Sequence, residues 1–342
     1  MLAAKQRSLQ TGRFLDIDSE EKMALFLSEE DVKALLTMPL ALAAVEEAHV
    51  ELALGRASDV PRQRTRLPQT TLHLLQGALP KRDVIGYKAY TSSRSGVRFL
   101  IHLYQASTGV LQAVLDADLI GMMRTAAASG VATRCLARTD AQVAGVFGAG
   151  WQAEGHLEAL LAVRSLRQIK VFARRPDRLA DFCSRMTERL GIDVVAARSA
   201  EDTVRDSDIV STVTTASTPL FEAAWLAAGT HINGAGSNAL IRREIGEEVI
   251  KRCRIIVVDS IETAVREAGD LLPLLEKGRL QPRQLIELGE LLCGRQPGRV
   301  QADEISLFES QGMAIQDLAL AAQLVDRAHA AGRGVELPYG AR

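Results

Sequence analysis

The segment Val143-Ala144-Gly145-Val146-Phe147-Gly148-Ala149-Gly150-Trp151-Gln152-Ala153 limits the possible folds of this chain most severely. An apolar run that ends in Gly-x-Gly-x-x-Ala reads as a strand, a tight turn and the start of a helix. Gly148 allows the turn. Gly150 opens the backbone to a pyrophosphate, and Ala153 lets helix and strand pack closely. Free N–H groups at the helix start can then bind phosphate oxygens. Alone the motif is weak, since a glycine-rich turn has the same letters. Here it heads a β-α series, which is the context that gives it meaning.

That series begins near Arg124 with an expected helix Arg124–Leu136 and strand Ala141–Phe147. It continues with helix Gln152–Val163, strand Gln168–Phe172, helix Asp177–Leu190 and strand Asp193–Ala196. Helix Ala200–Arg205 and strands Ile209–Thr214, His231–Asn233 and Arg254–Asp259 follow. Alternation of this kind implies a parallel sheet covered on both faces. The fold class is α/β: a Rossmann-type doubly wound domain over residues 125–317 beside an α+β substrate-binding and dimerisation domain. The second domain takes residues 13–124 and the C-terminal stretch 318–342. The first dozen residues of the chain, ahead of this domain, read as a loose polar tail. An amphipathic stretch runs from Ser28, an N-cap followed by acids, to Gly55. Asp59–Leu67 is extended, with Pro61 barring a helix. Val84–Tyr90, Phe99–Tyr104 and Val110–Asp116 read as strands of an antiparallel sheet. Helix Ala314–Ala331 is expected to fold back onto this domain.

Composition narrows the function classes. The 342 residues carry 41 basic and 42 acidic side chains, so no general attraction to nucleic acid or anionic membrane is implied. No run of eighteen apolar residues predicts a transmembrane helix, and the N-terminal residues lack the apolar core of a signal peptide. The four cysteines, Cys135, Cys183, Cys253 and Cys293, show neither Cys-x-x-Cys spacing nor a metal partner. They read as free thiols in a reducing cytoplasm, and no metal site is expected.

Four further features point to chemistry. The turn after the second strand of the β-α series, Ala173-Arg174-Arg175, holds two arginines where an acid would bind the ribose hydroxyls of NAD. Arginine there suits a 2′-phosphate and favours NADP(H), with NAD(H) still possible; a solvated basic turn is the plainer reading. Lys88 and Arg124 lie among apolar or small residues, where a cation is costly without an anion. Arg62 sits in the rigid segment beside Pro61. Each has two readings, a salt-bridged cation or part of a carboxylate clamp for a substrate. His102 and His231 read as structural. Asp116 and Asp118 read as charges before the helix that carries Arg124.

Taken together, these residues resemble the ornithine cyclodeaminase/μ-crystallin family. The resemblance spans about Pro61 to Asp317. It is carried by Gly86-Tyr87-Lys88, Met123-Arg124-Thr125-Ala126-Ala127, the glycine turn through Ala153, and His231-Ile232-Asn233-Gly234-Ala235-Gly236-Ser237-Asn238. Glu287-Leu288-Gly289-Glu290 and Leu307 through Asp317 complete it. The resemblance implies a homodimer and hydride transfer between a nicotinamide and the α-carbon of an amino or imino acid. It assigns Arg62, Lys88 and Arg124 to the substrate carboxylate and catalysis. It assigns Gly148, Gly150, Trp151, Gln152, Thr214 and Arg242 to the cofactor, beside Arg174 and Arg175.

Ala173 departs from the family pattern, as noted. So does Asn238, where cyclodeaminases of the family place an aspartate that serves the substrate's second amine. An amide cannot accept that proton. The leading expectation is therefore an NAD(P)H-dependent reductase of imino acids, such as Δ1-pyrroline-2-carboxylate, or the reverse amino-acid dehydrogenase. An ornithine or lysine cyclodeaminase with retained NAD is the alternative. A non-catalytic small-molecule-binding protein is a lesser one.

Overall fold

The computed structural model describes residues 23–94 and 96–339. The expected N-terminal tail lies outside the described residues. Two sheets make the frame. The first part of the chain gives β1 (Ala24–Leu27), α1 (Glu29–Leu35), α2 (Met38–Ala53), β2 (Ser58–Arg66), β3 (Thr70–Leu79), β4 (Val84–Ser93), β5 (Gly96–Gln105) and β6 (Leu111–Asp116). Then come α3 (Asp118–Leu136), β7 (Val143–Phe147), α4 (Trp151–Val163), β8 (Gln168–Phe172), α5 (Pro176–Leu190), β9 (Asp193–Ala196), α6 (Ala200–Val204), β10 (Ile209–Thr212) and β11 (His231–Gly234). The remainder gives α7 (Glu247–Arg252), β12 (Cys253–Val258), α8 (Ile261–Glu267), α9 (Leu272–Glu276), β13 (Ile286–Glu287), α10 (Leu288–Leu292), β14 (Ile305–Glu309), α11 (Ala314–Ala331) and β15 (Val335–Leu337).

The first sheet has the order β15-β1-β6-β5-β4-β3-β2. It is antiparallel except where β1 joins β6. The second has the order β13-β12-β14-β11-β10-β7-β8-β9, and every pairing in it is parallel. Its strand order reverses between β7 and β10, the place where such sheets open a crevice for ligands. The chain has the α/β, Rossmann-like fold expected, with a second, mostly antiparallel sheet.

Several elements differ from expectation. The stretch from Ser28 to Gly55 is two helices, because Thr37 caps a new helix with Pro39 in its first turn. Helix α3 begins at Asp118, not Arg124, and Glu29 accepts hydrogen bonds from the backbone N–H groups of Asp118 and Leu119 at its start. Asp118 is thus inside the helix. Strands β1, β3, β13, β14 and β15 and helices α7, α8, α9 and α10 were not expected at all.

Buried residues of α2, α3 and α11 share one apolar cluster with residues of β5, β6, β12 and β14. These three helices fill the space between the sheets. Among the described residues no helix covers the opposite face of the antiparallel sheet; Leu72, Ile85 and Leu100 are exposed on it.

Candidate active site between the sheets

A cleft of about 550 Å³ lies where the C-terminal ends of β7, β10, β11 and β14 face the antiparallel sheet. Arg62, Lys88, Arg124, Trp151, Gln152, Thr214, Asn238 and Arg242 all line it. A neighbouring groove of about 560 Å³ holds Gly148, Gly150, Arg174 and Arg175, and it shares Val213, Thr214 and Thr215 with the cleft. The sequence-predicted residues therefore occupy two adjoining parts of one crevice.

Strand alternation explains the place of Lys88. Val84, Gly86 and Lys88 point inward on β4, while Ile85 and Tyr87 point out. Only 1% of Lys88 is exposed. Its Nζ donates to Asp317 Oδ2 at 2.5 Å. Arg124, one side of α3, donates from Nε to Asp317 Oδ1 at 3.1 Å and from Nη1 to Gln316 Oε1 at 3.1 Å. Burial, reinforced by the Arg124 charge, pushes the Lys88 ammonium down to about 7 against the pull of Asp317. Such a group can hold or release a proton near neutrality.

The guanidinium of Arg124 needs a bare backbone beside it. Gly312 has φ +80°, and a Cβ there would stand 2.5 Å from Arg124 Nη1. Asp259 fixes this loop by accepting from Ser310 Oγ and from the backbone N–H groups of Gln311 and Gly312 at 2.8–3.0 Å.

Arg62 donates from Nη1 to Glu267 Oε2 at 2.9 Å and from Nη2 to the Gln311 carbonyl at 2.8 Å. Its Nε is buried with no hydrogen-bond partner. Arg64 takes the other oxygen of Glu267 at 2.5 Å and reaches the Asn238 carbonyl at 3.4 Å. Each of the three predicted cations thus has an anion within the chain. The salt-bridged and the clamp readings coexist: two carboxylates, Asp317 and Glu267, serve Lys88, Arg124, Arg62 and Arg64. The site keeps a positive excess and spare donors for a ligand carboxylate.

Asp317, Glu267, Gln311 and Asp259 were not singled out from the sequence. Asp317 had a signal. It is an acid within the apolar start of α11, where burial demands a cation.

The cofactor side fits a dinucleotide. Gly148 has φ +116°, and a Cβ on it would press on the Val213 carbonyl at 2.9 Å. A Cβ on Gly150 would meet nothing within 4 Å, so the space over the turn is open. No side chain caps the N-terminus of α4, which leaves its first N–H groups for an anion. Gln152 Oε1 is buried without a partner. Trp151 is 44% exposed on the cleft rim, so it is not a core residue. Glu244 orders the far wall, accepting from Thr214 N at 2.5 Å and Gly236 N at 2.8 Å. Arg242 donates to the Thr215 carbonyl. Among the described residues no cluster of His, Cys, Asp and Glu could hold a metal, and no helix is long and apolar enough to cross a membrane.

His231 is buried between Ser306 and Asn233, with contacts of 3.0 and 3.1 Å, away from this cleft. His102 stacks on Tyr87 on the open sheet face, with ring centroids 4.7 Å apart.

A parallel sheet with a glycine turn at its switch point, facing a buried lysine–aspartate–arginine group, defines a Rossmann-type dinucleotide-binding protein with a second, mostly antiparallel sheet opposite. More narrowly, the chain belongs to the ornithine cyclodeaminase/mu-crystallin family, whose model matches residues 22–332. It resembles Δ1-pyrroline-2-carboxylate reductase of Thermococcus litoralis, solved with NADH and L-proline, with TM-score 0.88 and 32% identity over 92% of this chain and 100% of that one. It also resembles an archaeal alanine dehydrogenase dimer with bound NAD, with TM-score 0.87 and 32% identity over 92% and 98%. The Δ1-pyrroline-2-carboxylate reductase of Bacillus cereus is 29% identical over 92% of this chain and all of its own.

Proposed function

We propose that this protein is an NAD(P)H-dependent oxidoreductase that reduces the C=N bond of α-imino acids. The observation that carries this reading is the Lys88–Asp317–Arg124 group in the same crevice as the uncapped glycine turn. Gly148, Gly150, Gln152, Thr214 and Arg242 would hold the dinucleotide, which supplies the hydride when bound. Arg62 and Arg124 would bind the substrate carboxylate through donors that Glu267 and Asp317 leave free. Lys88 Nζ would hold the proton that the imine nitrogen takes as the C–H bond forms. Asp317 orients both cations and offsets their mutual repulsion.

Arg174 and Arg175, joined by Arg178, line the outer groove and favour NADPH over NADH. Asn238 lines the cleft without a carboxylate, which speaks against cyclisation of a diamino acid. The exposed apolar face of β3–β5 suits a second copy of the chain, so a homodimer is the expected assembly. Free thiols and this cofactor choice fit a reducing cytoplasm.

The test is absorbance at the nicotinamide band with NADPH and NADH. Δ1-pyrroline-2-carboxylate, Δ1-piperideine-2-carboxylate, pyruvate with ammonia or methylamine, and ornithine are each offered. Consumption of NADPH with an imine, about tenfold or more efficient than with NADH, is expected. Ornithine should yield no proline or ammonia. Efficient release of both without net cofactor consumption would replace the reductase with a cyclodeaminase.

A further inference from the structure

Helix α3 lines the cleft beyond the cationic group, and two of its residues there are unusual. Gly121 is buried, yet a Cβ built on it would meet nothing within 4 Å. Packing does not require a glycine at that position, and within a helix glycine is less favourable than alanine. The void it leaves is part of the cleft. One turn earlier, Asp118 also lines the cleft. Its Oδ1 accepts from Phe99 N at 3.2 Å. Its other oxygen has no hydrogen bond among the described residues, and Asp118 is in no ion pair there.

The cleft is therefore polar at two separated ends. Arg62, Lys88 and Arg124 make the positive end. Asp118 makes the negative one, about 9 Å from Arg124 along the helix axis at the usual rise per residue. Val97 and Phe99 line the same space with apolar surface. A short side chain anchored at the cations would reach neither the Gly121 void nor Asp118.

The geometry points to an α-imino acid substrate whose long side chain passes over Gly121 and ends in a cationic group, an ammonium or a guanidinium, held by Asp118. This rests on the imino-acid reading above and narrows it. Asp118 is the residue that selects among side chains, while the carboxylate clamp accepts any of them.

Binding of the amino-acid products tests it without turnover. Calorimetry on the NADP⁺-loaded protein compares L-arginine with L-citrulline, its neutral counterpart, and L-norleucine with L-alanine. The unmodified protein should hold arginine at least tenfold more tightly than citrulline. Asp118→Asn should bring that ratio close to one. Gly121→Leu should fill the void and lower the norleucine-to-alanine ratio, with unchanged NADP⁺ affinity as the control for folding. An arginine-to-citrulline ratio near one in the unmodified protein overturns the proposal, and so does a ratio that survives Asp118→Asn. If the arginine preference is found while no imino acid is reduced, the reductase reading fails and the role of Asp118 stands.

Discussion

Lys88 keeps its ammonium almost wholly buried at the wall of the cleft, and Asp317 makes that tenable. A buried lysine tends to lose its proton, and here burial and Arg124 bring it to about 7. Imine reduction needs the proton present. With falling acidity Lys88 turns neutral, so kcat/KM for reduction should hold below about pH 7 and decline above it. Asp317→Asn removes the one strong influence that raises Lys88, so the inflection should move to lower pH. A pH–rate profile of both proteins checks this, and an unmoved inflection would detach Asp317 from Lys88. Lys88→Ala should lower kcat, whereas Arg124→Ala should chiefly raise KM. Either variant with near-native kcat/KM would take its residue out of the mechanism.

At the scale of elements, close backbone contacts hold the parallel sheet to its helices. Gly145 in the middle of β7 faces the Thr203 carbonyl at the end of α6, and a Cβ there would lie 2.0 Å from that oxygen. Gly145→Ala should therefore destabilise the protein by about 1–3 kcal/mol as α6 is pushed away. Thermal unfolding would show it as a lower Tm, and an unchanged Tm would mean that α6 yields freely. Such a contact is invisible in sequence, although β7 itself was plain. Its apolar run ahead of the glycine turn marks it, and the helices and strands from α4 to β11 keep clean periods, whereas the short elements α7 to α10, β13 and β14 do not. Strand β3 was not legible because Leu72, Leu74 and Leu75 fall on both faces, so alternation is lost. The start of α3 was hidden by Gly121 within an apolar run. Cations of the site stood out because an isolated buried charge is costly. Their acids did not, since Asp317 meets Lys88 across 229 residues and no local rule pairs them.

For the whole molecule, one face of the antiparallel sheet is covered by no helix among the described residues. Leu72 on β3, Ile85 and Tyr87 on β4, and Leu100 and Tyr104 on β5 lie on that side, with Tyr87 opposite His102 and Ile85 opposite Tyr104. An apolar sheet face of this kind is normally buried against another layer. A Leu100→Asp, Tyr87→Glu double variant should sediment at half the mass of the unmodified protein. A mass unchanged by these charges would place the contact elsewhere.

The order of synthesis gives the last helix an outsized part. Strand β14 sits between β11 and β12, and α11 carries the aspartate that joins Lys88 to Arg124. Both sheets have been translated almost in full before either of these pieces leaves the ribosome. A nascent chain can thus shape the glycine turn early, yet Lys88 has no anion until Asp317 is made, about 8–33 seconds behind the turn at ordinary elongation rates. Chains cut short by stalled translation or by proteolysis near the C-terminus would then be catalytically silent, and could not drain reduced cofactor from the cell.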